Sequence, residues 1–458
     1  MKVAVSLVFA TLASLAQSQG QAQAQTGGST PAACTSMRTR RNAATLSAQE
    51  WQSIGNVVNR MAQDGWIGRF GASHDRLFGR VHGNTCFFPF HRRYILEYEN
   101  IGRTYDPNFV VPYWDATQNA RNPMSDPLLS ANALGTNGQA GTGCLADGIQ
   151  GNSQLTYPNQ HCLRRVYDNN GSIKQWYAPE IISSYMQSDT SLARFREDIE
   201  YSLHGAVHLG MGGDMDSGYA AQDFSFMVHH ANLDRLWWDW QNTHSFMMYD
   251  GNGSNGPASL SDTIPEDSSV PFNGATVESV MVLGYGNVCY TYDSSPSPPQ
   301  SYPAGGGAAP AAAGNTSAAG GNTSAAGGVA PANNANSQQP AQQQQPNPNA
   351  SGNRRPVLSG SSNMANRILE NSGIQGALGG DAVSRFFPGL NGWRAPGRRR
   401  SYQEKKVSDC GGPIPFPPRL TPEWVKMHGY DADRVEMFHK HACEIVEVLN
   451  NSTYKSPY

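Results

Sequence analysis

The chain is short of charge and nearly balanced in sign. Of its 458 residues only 15% are Asp, Glu, Lys or Arg, and 33 basic groups against 36 acidic ones leave a formal charge of −3. A surface without cationic excess has no counterion-release drive toward nucleic acid and no polybasic drive toward anionic lipid, so neither is expected as a partner. Long apolar runs are missing too. The main one, Val3 to Ala16 behind Lys2, is too short to span a bilayer and ends on Ser14-Leu15-Ala16, the layout of a secretory signal peptide. The expectation is an exported chain without a membrane anchor. Cysteine is scarce for such a chain, and seven residues leave one thiol over after any pairing. Cys144 with Cys162, Cys34 with Cys289 and Cys410 with Cys443 are candidate pairs with Cys86 left odd, although spacing alone does not fix connectivity.

Order is unevenly distributed. Residues 294–355 are Pro, Gly, Ala, Asn, Ser and Gln and contain a direct heptapeptide repeat, Gly314 to Gly320 and Gly321 to Gly327. Such a composition buries too little apolar surface to offset its ordering entropy, so a linker or long insertion is expected there. The basic cluster Arg394 to Lys406 reads as a solvated loop, with a processing site as the alternative. Sequons at Asn170, Asn252, Asn315, Asn322, Asn349, Asn450 and Asn451 are compatible with glycosylation in a eukaryotic host.

What the chain does have is helical periodicity around histidines. Ser47-Ala-Gln-Glu50 is a capping box opening a helix with Trp51, Ile54, Val57, Val58 and Met61 on one face. Arg92 to Ile101, Leu192 to Val207 and Ala231 to Gln241 read as helices too, and only Val282-Leu283 and Val288 to Tyr292 read as short strands. His204 and His208 stand at i and i+4, a spacing that brings two imidazoles to one ion. A third, from the doublet His229-His230, follows on a second helix, and His74, His82 and His91 form an upstream set. Six neutral imidazoles split three and three, with no cysteine or carboxylate at matching spacing, suit two copper ions better than zinc. His161, His244, His428, His439 and His441 read as ordinary core or surface residues. The expected fold is mainly α, a four-helix bundle holding a dinuclear site with short peripheral strands and long loops.

The segments His82-(eight residues)-His91-Arg92, His204-(three)-His208 and His229-His230-(three)-Asp234-Arg235-Leu236-Trp237, with Pro112 to Asp115 and Tyr290 to Tyr292, resemble the type-3 copper polyphenol oxidase family of tyrosinases and catechol oxidases. The resemblance covers roughly residues 34–293. It implies a first copper on His74, His82 and His91, a second on His204, His208 and His230, and oxidation of small phenols by O2. The expected activity is a secreted o-diphenol oxidase. A monophenol-hydroxylating tyrosinase, an o-aminophenol oxidase and a haemocyanin-like oxygen carrier are the alternatives. Four residues are candidates around the coppers. Glu200 matches a position where relatives hold a water near the metal and is the candidate base. Asp234 is expected to orient a ligand or Arg235, and Phe226 to wall the pocket. Gly205, where tyrosinases often carry Asn, tilts the balance toward o-diphenols.

The expected organisation is a signal peptide over 1–18, a leader over 19–33, the copper core over 34–293, the linker over 294–355 and a helical tail over 356–458. In the tail, Thr421-Pro422 opens one helix and a second, from near Asp433, carries Val435, Phe438, Ala442, Ile445, Val448 and Leu449 on an apolar face. This tail should dock on the core, as an integral part of it in preference to a separate lid over the site.

Overall fold

The computed structural model describes residues 30–303, 413–452, 454 and 456. The expected signal peptide, the heptapeptide repeat, the Arg394 to Lys406 cluster, Cys410 and three of the sequons lie outside the described residues. The capping box forms as expected: Ser47 accepts from the Glu50 amide and Glu50 accepts from that of Ser47. It opens α1 (Ala48–Gln63), whose apolar stripe is buried against α2 (Trp66–Val81) and α3 (Phe87–Gly102). After a long irregular stretch come α4 (Pro179–Ser188) and α5 (Leu192–Ile199), then α6 (Gly205–Met211) and α7 (Phe224–Gln241). The fold is mainly α, with α2, α3, the α5–α6 rod and α7 enclosing the centre.

The helix expected over Leu192 to Val207 is not uniform. Glu200–His204 form a π turn between α5 and α6. Such a wide turn breaks the 3.6-residue register on which Glu200 and His204 would share a face, and it often marks a functional site.

Strands are peripheral. β1 (Arg38–Arg40) runs parallel to the last strand, Tyr290–Tyr292, while Val282-Leu283 is not a strand. Two disulfides occur among the described residues, Cys34–Cys289 beside this pair and Cys144–Cys162 in the long loop. Cys86 is a buried free thiol. The Cys443 sulfur lies 3.8 Å from the His439 ring, its proposed partner Cys410 being outside the described residues. The core also runs further than expected. Pro296 and Pro299 carbonyls accept from Trp238 and Tyr285, so the chain is still packed on the core at 299.

The tail resumes at 413 and carries α8 (Pro422–Met427) and α9 (Ala432–Asn450). Thr421 caps α8 and Asp431 caps α9. The flanks of the tail and its middle pack differently. Ile414, Ala442, Ile445, Val446, Leu449 and Tyr454 belong to the main core. Trp424, Val425, Tyr430, Val435 and Phe438 form a separate apolar cluster with Tyr201 and Leu209. Near the end of α9 the Asn450 side chain accepts from the Ile414 N–H through Oδ1 and donates to the Ile414 carbonyl through Nδ2.

Candidate metal centre

All six expected histidines converge. In each set, His74, His82, His91 and His204, His208, His230, one nitrogen per residue lies within 4.8 Å of the others, and all six side chains are buried. The sets face each other: His91 stacks on His230 at 4.0 Å between ring centroids, and His82 on His204 at 5.7 Å.

The backbone fixes the tautomers. Nδ1–H donates to a carbonyl in His74 (Gly218, 2.6 Å), His82 (Phe78, 3.0 Å), His91 (Phe87, 2.7 Å), His204 (Glu200, 3.3 Å) and His208 (Met215, 2.6 Å). A carbonyl only accepts, so the proton sits on Nδ1 and each Nε2 is left with a bare lone pair. Those lone pairs meet. Nε2 of His91 stands 3.5 Å from that of His74, lone pair against lone pair; Nε2 of His208 stands 3.3 Å from that of His230, whose own tautomer no carbonyl fixes; and Nε2 of His204 is buried with no hydrogen-bond partner. Protonation is no remedy, because burial pushes His74 and His208 down to about 4 and, with the neighbouring rings, drives the other four well below the ordinary imidazole value. Acceptors facing acceptors in a dry site repel unless a cation lies between them. Two imidazole nitrogens at about 2 Å from a shared ion span such a gap, so the donor set fits one soft-to-borderline metal ion per triple.

The residues around this cage divide by role. Phe226 is fully buried with its ring 4.1 Å from His230 and 4.8 Å from His74, touching ligands of both sets from inside the bundle. His229 stacks on His204 at 5.9 Å. Asp234 departs from expectation: it touches neither a ligand histidine nor Arg235. It accepts from Arg40 (3.0 Å), Arg92 (2.5 Å), Tyr290 (2.5 Å) and Tyr292 (2.5 Å). Burial pushes this carboxyl up, but Arg92 and Arg40 outweigh it and hold it below the ordinary value. One helical turn past His230, its side chain points away from the cage and locks α7 to α3, β1 and the last strand. Arg235 pairs instead with Asp115 and Asp239. Sequence reasoning missed Arg40, a lone residue with no motif around it.

Glu200 is corrected in the same way. It is neither exposed nor a free base. Its Oε1 accepts from the Gly83 amide (2.8 Å) and the Tyr430 hydroxyl (2.6 Å), and Oε2 from Arg196 (2.9 Å). Burial raises its pKa against these partners. The carboxylate therefore ties the tail to the π turn.

The tail in fact lies on the cage. The Trp424 ring is 5.2 Å from His208 and 6.0 Å from His204, and that of His428 is 5.1 Å from His82 and 6.1 Å from His204. His428 is thus no ordinary core residue, and the preference for an integral tail over a lid is half right. A Cβ on Gly205 would sit 2.5 Å from Leu420 and 3.1 Å from the Trp424 indole nitrogen. A cavity of 430 Å³ exists elsewhere, between Arg41, Glu50 and Phe109, and touches no metal-site residue.

Comparison with known proteins fits this geometry. Residues 48–243 match the family model described as the common central domain of tyrosinase. The tyrosinase-like protein phomQ2 of Diaporthe leptostromiformis is 30% identical over 291 residues, 57% of this chain and 74% of its own. Tyrosinase ustQ of Aspergillus flavus is 29% identical over 269 residues, 53% and 71% of the two chains. Among solved structures, a polyphenol oxidase variant from Thermothelomyces thermophila aligns with a TM-score of 0.45 at 20% identity, over 56% of this chain and 88% of that one.

Proposed function

The chain belongs to the tyrosinase family, and from that premise we propose that it is an exported oxidase converting o-diphenols to o-quinones with O2. The family binds a dinuclear copper centre, and the two histidine triples fit one. It is accordingly an oxidoreductase of the tyrosinase and catechol oxidase type, acting on phenols with O2. The six histidines are the proposed ligands. The observation that carries this is the meeting of the unprotonated Nε2 lone pairs of His74 and His91, with Nε2 of His204 buried and unpartnered, inside six converging imidazoles.

When bound, copper supplies the redox step: two o-diphenols give up four electrons and four protons, and one O2 leaves as two waters. The chain's part is to hold the ligands. Five Nδ1–H···O=C bonds set ring orientation and tautomer before any ion arrives, as outer hydrogen bonds do at metal sites generally. Phe226 and Phe87, whose ring lies 4.7 Å from His91 and 5.0 Å from His204, close the floor against water.

The preference for o-diphenols over monophenols rests on Gly205 and Leu209, the residues after His204 and His208, neither of which presents a polar group to help deprotonate a monophenol. The engagement of Glu200 with Tyr430, Gly83 and Arg196 points the same way. Export is supported by the N-terminal pattern and by two disulfides. We read the described form as closed, because Trp424 and His428 lie on ligands of both triples. Oxygen uptake by copper-loaded protein with catechol, tyrosine and o-aminophenol tests the proposal. Rapid turnover of catechol with little of tyrosine is expected, and efficient tyrosine hydroxylation would refute it.

A further inference from the structure

We infer that the closed site opens by displacement of residues 420–430 alone, with both flanks of the tail staying docked, and that Gly205 is the seat on which this cover rests. The inference builds on the reading of the described form as closed.

The flanks are held by the main body. Before the cover, the Pro413 carbonyl accepts from Arg121 (2.6 Å), Ile414 is in the main core and pairs through its backbone with Asn450, and the Pro417 carbonyl is 3.1 Å from His439 Nε2. After it, α9 sends Ala442, Ile445, Val446 and Leu449 into the main core, and the Tyr454 hydroxyl donates to Glu180 (3.1 Å). The cover between them has no share in that core. Its apolar residues join the small cluster with Tyr201 and Leu209 and lie against the cage, and its polar ties are few, chiefly Tyr430 to Glu200 and, just beyond, Arg434 to Glu197. A segment with few apolar contacts opens at lower free energy than the elements beside it. Gly429, at φ +65° and with no atom within 4 Å of a built Cβ, gives the chain a turn there that packing does not constrain.

Gly205 begins α6 at φ −63° and ψ −35°, ordinary helical values at which glycine is a poor choice for the helix itself. What its missing side chain does is admit Leu420 and Trp424. A single methyl would press on the far end of a flexible leucine and already stand 3.1 Å from the indole nitrogen. A branched side chain would press harder on both. Because cover and seat meet beside His204, this position governs how long the site stays closed. A chain cut within 394–406 would keep its cover, since both flanks remain attached.

The test is hydrogen exchange on the copper-loaded full chain, read by peptide mass. Gly205→Val should raise exchange within 420–430 at least tenfold and leave 440–449 unchanged, at equal copper content. Val is preferred to Asn because the Trp424 indole N–H has no partner and an amide oxygen would accept from it. Leu420→Ala in the Val background should restore part of the protection. If Gly205→Val binds no copper, Trp424→Ala, which lies on the cover and off the helix, should give the same split between 420–430 and 440–449. Exchange of both segments together in either variant would overturn the hinged cover, and unchanged exchange in metallated Gly205→Val would overturn the seat. Catechol oxidation measured on the same samples separates the premise. Faster exchange without a faster rate would keep the hinged cover and remove the idea that it bars substrate.

Discussion

Two polar clusters lie buried one helical turn apart on α7, and they are built on opposite principles. Around His230 six neutral imidazoles converge, the Nε2 acceptors of His74 and His91 face to face and Nε2 of His204 given no partner. Around Asp234 one carboxylate faces two guanidiniums and two hydroxyls, so that charge and hydrogen bonds are matched. A buried polar group without a partner costs free energy, whereas a satisfied network rigidifies its surroundings. The first arrangement makes sense only with a ligand, and the second only without one. Function resides where the protein leaves its own groups unsatisfied, and the neighbouring network holds the helices that keep them so.

The contrast can be broken from either side. The largest effect should come from His208→Ala, which removes one of the three proposed ligands of one ion: catechol turnover should fall below detection and copper content drop toward one ion per chain, while circular dichroism shows the fold retained. Full copper loading in that variant would remove His208 from the ligand set. Asp234→Ala should do the reverse. It leaves Arg92 without a carboxylate partner in the core and Arg40 with Glu99 alone, and should cost about 3–5 kcal/mol of stability, read as a lowered denaturant midpoint. A variant as stable as the parent would show that the hub is dispensable.

Acid should separate the two clusters. His74 and His208 are pushed down to about 4 by burial. Their folded pKa lies below that of a free imidazole, so the stability tied to their neutral form is present above about pH 6.5 and is lost as pH falls through 4. Asp234 is held below the ordinary carboxylate value, so its contribution is present above about pH 4 and goes only below that. Metal should therefore leave as the pH falls to about 4, where the folded site's histidines begin to take protons, while the helical signal persists to lower pH, and loss of the helical signal before the metal would contradict the ordering. The smallest effect is expected from deleting 304–353. Longer loops add little closure entropy, so the melting temperature should shift by no more than about 2 °C. A large drop would give the low-complexity stretch a structural part.

Legibility followed periodicity. The Ser47 box, the i and i+4 pair His204 and His208, and the Thr421-Pro422 start were readable because each is a local signal whose partners lie within one helical turn. Glu200 was misread because its role depends on Tyr430, 230 residues away, and on a π turn that interrupts the spacing from which its face was inferred. Asp234 was misread for a like reason: Arg40 and Arg92 reach it from separations of 194 and 142 residues. His428 was taken as ordinary because nothing near it in the chain hints that α8 lies against His82 and His204.

The sequence by itself determined the six histidines, the helices that carry most of them and the choice of metal, since ligand type and helical spacing are properties of short stretches. Only the tertiary structure decided what Asp234 and Glu200 hold, where the core ends, and that the tail both joins the core and covers the site. Those depend on which buried groups find partners across the fold, and burial is settled by the packing of the whole chain.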